Sequence, residues 1–252
     1  MLNGGGGSAF RTVHLDNHLL ILDKSAGLPS QPDDSGDPSL IELAKDWIRR
    51  EFAKPGNVYL ALAHRLDRPT SGLVALARTG KAARRLAEFF RLRRVDKHYL
   101  ALVEGRPPRP EGKCLDWLIR GEKGGMRVAG EGAPGARRAE LSYLMLAADG
   151  AGKRSLLEVA MATGVKHQIR CQLANRGLPV TGDFRYGPQG RPARPEPVAG
   201  GRAILLHSWR LGFVHPVRCE RLEFSAPPPG HWLPFLAGFP ADALTLAEKS
   251  SG

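Results

Sequence analysis

Residues His64 to Gly72 read His-Arg-Leu-Asp-Arg-Pro-Thr-Ser-Gly, with the carboxylate of Asp67 between two arginines and ahead of two hydroxyl side chains. A carboxylate so placed could attack as a nucleophile, move a proton, or cap the turn that Pro69 and Gly72 favour. On residue types alone the Asx-turn is the simpler reading. Phosphatases with an aspartate nucleophile usually offer a second Asp two residues on, where Pro69 stands. A glycosidase-type hydrolase needs a second carboxylate, and none stands at a matching place. No Walker phosphate loop, dinucleotide glycine motif, His-Glu-x-x-His or Gly-x-Ser-x-Gly occurs, which weakens ATPase, dehydrogenase, metalloprotease and serine-hydrolase readings. Cys114, Cys171 and Cys219 are far apart and odd in number, which excludes a disulfide framework and argues against structural zinc. No metal site is expected.

The elements that must position these groups follow from pattern. Residues 18–24 form an apolar run that reads as the first strand, followed by a Gly-Leu-Pro turn. Ser39 and Glu42 make a capping box after Pro38, and Leu40, Leu43, Ala44, Trp47 and Ile48 recur at helical spacing behind it. Residues 58–63 read as a strand running into His64, and 73–77 as another short strand leaving the turn. A helix is expected over 79–93 with Leu86, Phe89 and Phe90 inward. Its Arg84, Arg85, Arg91, Arg93 and Arg94 present either a solvated face or a phosphate-binding one. Strands are expected at 97–103, 140–146, 156–161 and 204–207, and a short helix at 167–176 stopped by Gly177. Residues 121–138 and 188–201 read as loops. Strands and helices without regular alternation predict an α+β fold with a mixed, largely antiparallel sheet flanked by helices and loops. The domain division expected is a disordered lead-in (1–10), one catalytic domain (11–235) and a tail (236–252).

Composition sets the environment. The chain has 252 residues, 42% hydrophobic and 25% charged, ordinary for a globular protein. No apolar run approaches the roughly 18–20 residues that span a bilayer, and the glycine-rich start lacks the pattern of a signal peptide. A cytoplasmic protein is expected. The net charge is +12, with 27 arginines to 10 lysines, and the pI is about 10.1. Such a surplus suits a polyanionic partner, and arginine pairs with phosphate and stacks on bases. A genome biased toward Arg, Ala, Gly and Pro explains arginine over lysine equally well, though not the cationic surplus itself.

Taken together, the polar runs resemble the motifs of the RluA family of pseudouridine synthases. His64-Arg-Leu-Asp67-x-x-Thr70-Ser-Gly72 is similar to the family signature, and Lys97-His98-Tyr99, leading to Gly105, to its K-x-Y…G segment. Thr163 to Arg170 resembles T-G-x-x-H-Q-I-R. Leu178-Pro179, Gly182-Asp183 and Tyr186-Gly187 follow the next element, and Leu206-His207 and Phe213-Val-His215-Pro216 the last. The likeness runs in family order from about Leu19 to Pro228. It implies that a uridine of ribosomal or transfer RNA is isomerised to pseudouridine, without cofactor, because the reaction has no net redox or hydrolytic step. Asp67 would be the nucleophile, Arg170 the arginine paired with it, and Tyr99 the ring that stacks on a base flipped out of its helix and helps remove its C5 proton. RNA contacts are implied for His64, Arg65, Arg68, Thr70, Lys97, Lys166, His167 and Ile169. Ile169 would line the pocket, and His64 and Arg65 would orient the loop and meet the backbone. His167 and His207 are expected to be satisfied structural histidines.

The chain departs from the family pattern at Ser25, where proline is usual in a K-P-x-G motif that keeps Lys24 and Gly27. Val165 stands where arginine is frequent and Leu141 where threonine is. These positions bear on RNA contacts and substrate choice. No separate N-terminal RNA-binding module is expected, so the catalytic domain, acting as a monomer, would grip RNA itself. The rival reading is a catalytically silent RNA-binding or ribosome-assembly protein that kept the fold.

Overall fold

A computed structural model describes residues 9–53, 55–121, 124–187, 197–198 and 201–240. Its centre is an eleven-stranded sheet. The strands before the first long crossover are β1 (Phe10–Leu15), β2 (Leu19–Lys24), β3 (Ala61–Leu62) and β4 (Ser71–Ala77). Then come β5 (Asp96–Glu104), β6 (Glu111–Arg120), β7 (Met126–Ala129), β8 (Arg137–Ala148) and β9 (Arg154–Met161). A two-residue pair, β10 (Pro197–Val198) with β11 (Gly201–Arg202), stands apart, and β12 (Leu206–Val214) and β13 (Arg221–Ser225) complete the sheet. The order is β1-β2-β4-β12-β5-β9-β8-β6-β7, with β13 beside β12 and β3 beside β4. Every pairing is antiparallel except β12 with β4. That parallel pair joins the start of the chain to its end and carries the residues just after Asp67.

Helices cover both faces, as the two-residue alternation of the strands requires. On one face α1 (Leu40–Glu51) and α3 (Gln168–Ala174) pack on Leu20, Leu22, Val74, Leu76, Ala101, Val103 and Val159. On the other, α2 (Gly80–Arg91) packs through Ala82 and Leu86 on Leu19, Ile21, Leu73 and Ala75. A 3-10 turn (Gly230–Trp232) and α4 (Leu233–Leu236) close that face over Leu100, Leu102 and Trp209. The capping box opens α1, with Ser39 N donating to Glu42 at 2.9 Å, and Thr79 caps α2 by accepting from Ala82 N at 3.3 Å. Among the described residues no helix is long and apolar enough to cross a membrane.

The α+β architecture matches the expectation, and so do both long helices. Several boundaries need correction. β1 starts at Phe10, the last residue of the expected lead-in, and pairs with β2 from Lys24 to Leu20. The strand expected over 58–63 is only Ala61–Leu62, and that expected over 204–207 is displaced to Leu206–Val214. The presumed loop 121–138 holds β7 and the start of β8, and β6 and β13 had no sequence signal at all. These strands gain their definition from partners: β7 pairs only with β6, through four residues, and pairing of that kind leaves little local trace. The expected tail boundary at 236 cuts into the core, since Leu236 and Phe239 are buried beneath Trp232. The rest of the lead-in and tail, and most of the 188–201 loop, lie outside the described residues.

Gly72 fixes how closely β4 and β12 approach. Its φ is +110°, and a Cβ there would collide with the backbone N, C and O of Ser208. Gly72→Ala therefore combines backbone strain with a clash against main chain, which cannot yield as a side chain can. It should lower stability by about 2–4 kcal/mol in urea unfolding. A loss under about 0.5 kcal/mol would show that the two strands are free to separate.

Candidate active site

Asp67 lies in the loop between the antiparallel strands β3 and β4, and buried polar contacts hold that segment in place. Leu66 is pinned by Ser30, whose Oγ donates to Leu66 O at 2.9 Å and accepts from Leu66 N at 3.1 Å. Thr70 N donates to Asp67 O at 3.0 Å, a backbone turn rather than the Asx-turn expected from residue types, since the Asp67 carboxylate is taken by Arg170. Gly27 N donates to Arg68 O at 2.8 Å, and Arg68 Nε returns a bond to Gly27 O at 2.9 Å. Beneath them Lys24 is wholly buried, its Nζ donating to Ser25 O at 3.0 Å, Leu28 O at 2.8 Å and Arg68 O at 3.3 Å. Burial pulls its pKa down to about 7, with the charge of Asp67 acting in the opposite sense. A lysine in this cage ties the turn after β2 to the Asp67 loop.

The carboxylate itself meets α3. Arg170 Nη1 donates to Asp67 Oδ2 at 2.8 Å, while its Nε and Nη2 donate to Asp183 Oδ2 and Oδ1 at 2.7 and 3.0 Å. Arg170 is 2% exposed and Asp183 1%. Burial would lower the arginine's pKa, but the hydrogen bonds and charges of Asp183 and Asp67 outweigh it and hold the guanidinium firmly charged. The remaining oxygen, Asp67 Oδ1, stands 3.7 Å from His167 Nε2.

His167 caps α3 in a left-handed conformation, φ 52°. Its Nδ1 lies 2.8 Å from the Tyr186 hydroxyl, which in turn accepts from Met126 N at 2.6 Å. Burial, aided by Arg170, Lys166 and Arg185 and opposed by Asp67, drives its pKa down to about 4. A neutral ring that accepts at Nδ1 from Tyr186 carries its proton at Nε2, facing Asp67. The edge strand β7 is thereby coupled to the site through Met126.

Asp67, Arg170 and His167 line one cavity of about 1050 Å³, and all eleven residues expected at the site belong to its lining. Tyr99, on β5, is buried, and a side-chain hydrogen bond from Ser208 accompanies a phenol pushed by burial up to about 12. A phenol so raised stays protonated near neutrality and is a poor general base there. Ile169 is a buried apolar wall. Lys97 donates to Thr163 O at 3.0 Å, and burial, with Arg93 adding, draws its pKa down to about 8. Arg65 is exposed at the mouth, as is Lys166. Arg68 is paired with Asp37 and Gly27 O, so much of its hydrogen bonding is structural. Thr70 is buried, its hydroxyl without a partner among the described residues. His64 accepts from Ala75 N at 3.1 Å and stacks on Phe90, with burial sending its pKa to about 3. It is part of the cavity wall.

His207 is structural as expected, set between Ser71 Oγ and Ala226 O at 2.9 Å each. Val165 and Leu141 are apolar packing positions, and Ser25 contributes its carbonyl to Lys24. Of the arginines in and just after α2, Arg91 and Arg93 line the cavity, whereas Arg85 is bound to Pro216 O at 2.6 Å. Missed in the sequence were the roles of Lys24, Tyr186, Arg137, Arg138 and above all Asp183. Asp183 stood in a recognisable motif, but nothing in one sequence says that it grips the far edge of Arg170. Among the described residues no group of three or more His, Cys, Asp or Glu could hold a metal ion.

Residues 18–175 match the family model for RNA pseudouridylate synthases. The chain belongs to that family. Its relatives place it among the RluA-type members, isomerases that act on RNA. An uncharacterised RNA pseudouridine synthase of Chloroflexus aurantiacus is 39% identical over 71% of this chain, which spans 53% of that relative's length. A dual-specificity RNA pseudouridine synthase RluA of Pasteurella multocida is 31% identical, covering 86% of this chain and 92% of its own. Among solved structures, human RNA pseudouridylate synthase domain containing 1 superposes with a TM-score of 0.71 at 25% identity, covering 99% of this chain and 98% of its own. The pseudouridine synthase fold is therefore carried by nearly the whole chain.

Two predictions follow from the buried charges. Removing one partner of a buried pair strands the other, so Asp183→Ala should cost about 3–5 kcal/mol in unfolding free energy, and Asp183→Asn distinctly less because it still accepts one bond. Equal small losses for both would show that Arg170 does not depend on Asp183. His64, His167 and His207 have pKa values near 3, 4 and 4 in the fold, against 6.5 when free. Between about pH 6.5 and 4 the unfolded chain therefore holds more protons, and stability should fall as the solution is acidified through that window. A melting temperature unchanged from pH 7 to 4.5 would contradict neutral burial of these rings.

Proposed function

We propose that this chain converts defined uridines of ribosomal or transfer RNA to pseudouridine, with Asp67 as the nucleophile and the target base flipped out of its stack into the cavity. The observation that carries the reading is the linkage of Asp67, Arg170 and Asp183 at the base of a cavity that also presents Tyr99. In the reaction the N1–C1′ bond breaks, the uracil turns, C5 joins C1′, and the C5 proton leaves. Asp67, held at one oxygen by Arg170, is free at the other to attack C1′ or C6, or to assist glycal formation. Fixing the carboxylate beforehand removes the reorganisation that water would impose. Tyr99 offers a ring that offsets part of the stacking lost when the base leaves its helix. The family to which the chain belongs supports the reaction, and the dual specificity in the name of the Pasteurella relative is in keeping with more than one RNA as substrate.

Tritium release from RNA labelled at uridine C5 reads the chemistry directly, since forming the C5–C1′ bond expels that hydrogen. RNA from cells lacking this protein should release tritium with the wild-type enzyme. Asp67→Asn should lower the rate at least about 10³-fold while RNA affinity stays within a few-fold. Binding without release by the wild type would favour the silent RNA-binding reading.

A further inference from the structure

His167 stands at the head of α3, and the segment that carries it is tied down on both sides. The buried Gln168 accepts at Oε1 from Val165 N at 3.0 Å and from Thr163 Oγ1 at 2.8 Å. Its Nε2 donates to Glu140 O at 3.0 Å, and the His167 carbonyl accepts from Cys171 N at 2.9 Å. Between these ties His167 takes its left-handed backbone, φ 52° and ψ 24°. Few side chains adopt that conformation unless the surroundings impose it. Its Nε2 then lies 3.7 Å from Asp67 Oδ1, the oxygen that Arg170 leaves open.

A relay that begins on β7 places the proton of the ring. Met126 N donates to the Tyr186 hydroxyl oxygen at 2.6 Å, which leaves the hydroxyl proton for His167 Nδ1 at 2.8 Å. A neutral imidazole that accepts at Nδ1 carries its own proton at Nε2. Tyr186 is held for this task by its edge-on contact with His167, centroids 5.7 Å apart, and by the Arg170 guanidinium 5.2 Å over its ring. Burial, with Arg170, Lys166 and Arg185 around α3, disfavours a charged ring, and Asp67 alone opposes them. His167 therefore meets Asp67 as a neutral donor.

We propose that His167 is a positioning residue for the reacting oxygen of Asp67, with Tyr186 fixing the ring nitrogen that faces it. The proposal rests on the reading of Asp67 as the nucleophile. One hydrogen bond from Arg170 holds Oδ2 but leaves the carboxylate able to twist about its Cβ–Cγ bond, and an N–H facing Oδ1 restrains that twist. At 3.7 Å the contact is longer than a hydrogen bond, so Oδ1 is guided without being occupied. A protonated ring would do the opposite. As an ion pair it would hold Oδ1 and withdraw the electron pair that the reaction needs.

Two substitutions separate a donor from a packing role. His167→Asn tolerates the left-handed backbone but is too short to reach Asp67, whereas His167→Gln carries an amide N–H to about the place of Nε2. In single-turnover tritium release at saturating RNA, His167→Asn should slow the reaction about 10- to 100-fold, with RNA affinity and melting temperature little changed. His167→Gln should stay within about 3-fold of wild type. Tyr186→Phe removes the bond that disfavours a proton at Nδ1, so its rate should begin to fall at a higher pH than the wild-type rate as the solution is acidified from pH 8 to 5. Nitrogen-15 NMR of the RNA-free protein at pH 7 should show His167 with its proton on Nε2. A proton on Nδ1, a full rate in His167→Asn, equal losses in Asn and Gln, or an unmoved acid limb in Tyr186→Phe would each overturn the proposal. So would lost RNA affinity at an unchanged rate, which would make His167 an RNA contact. Any of these results with release by the wild type sinks this role alone, while no release from any RNA by the wild type sinks the isomerase reading and the role with it.

Discussion

A guanidinium that is 2% exposed cannot remain in a fold without anions around it, and Arg170 has two. Burying a charge costs several kcal/mol, recovered only when its N–H groups meet acceptors in good geometry. Asp183 occupies the Nε and Nη2 edge as a two-pronged partner, leaving Nη1 for Asp67. Without Asp183, the same arginine would be free to clasp both oxygens of Asp67 and take them out of use. The division of one guanidinium between two carboxylates thus leaves Asp67 fixed by one hydrogen bond and open at its second oxygen. Three segments must converge to make it: the loop after β3, helix α3, and the turn after Val180.

The sheet supplies that convergence. Its single parallel pair, β4 with β12, sets the end of the Asp67 loop beside the strand that also borders Tyr99. Gly72 permits the close approach, Lys24 and Ser30 tie the loop to the turn after β2, and His207 joins Ser71 to the carbonyl of Ala226. Apolar side chains on both faces of these central strands make the platform stiff. The backbone departures at the site, a left-handed His167 and a positive φ at Gly72, persist because packing around them leaves no alternative.

Net charge is a coarser guide than it first looks. Arg85, Arg170 and Arg176 make specific bonds within the protein, and Arg68 is partly committed in the same way. The cations at the cavity mouth are a subset drawn from α2, the start of β8 and the turns around α3. Their shared location gives the surface its suitability for a polyanion.

The sequence by itself determined the chemistry-bearing groups and the strongly patterned elements. Asp67, Tyr99 and Arg170 stood in legible motifs, and α1 and α2 in amphipathic runs with caps, because those signals are local: a residue type, a spacing, a period. The strands β6, β7 and β13 were not legible, since a half-exposed or edge strand is defined by the hydrogen bonds of its neighbours. The roles of Asp183, Lys24 and Tyr186 were decided only by tertiary structure. Each acts on a residue far away in sequence, Asp183 on Arg170, Lys24 on the carbonyl of Arg68, Tyr186 on His167 and Met126. The partners of His64, expected to orient the loop and meet RNA, were likewise decided by the fold: it lines the cavity while its ring accepts from Ala75 N and stacks on Phe90. A side chain's type states what bonds it can make, but which partner it meets is fixed by where the packed backbone puts it.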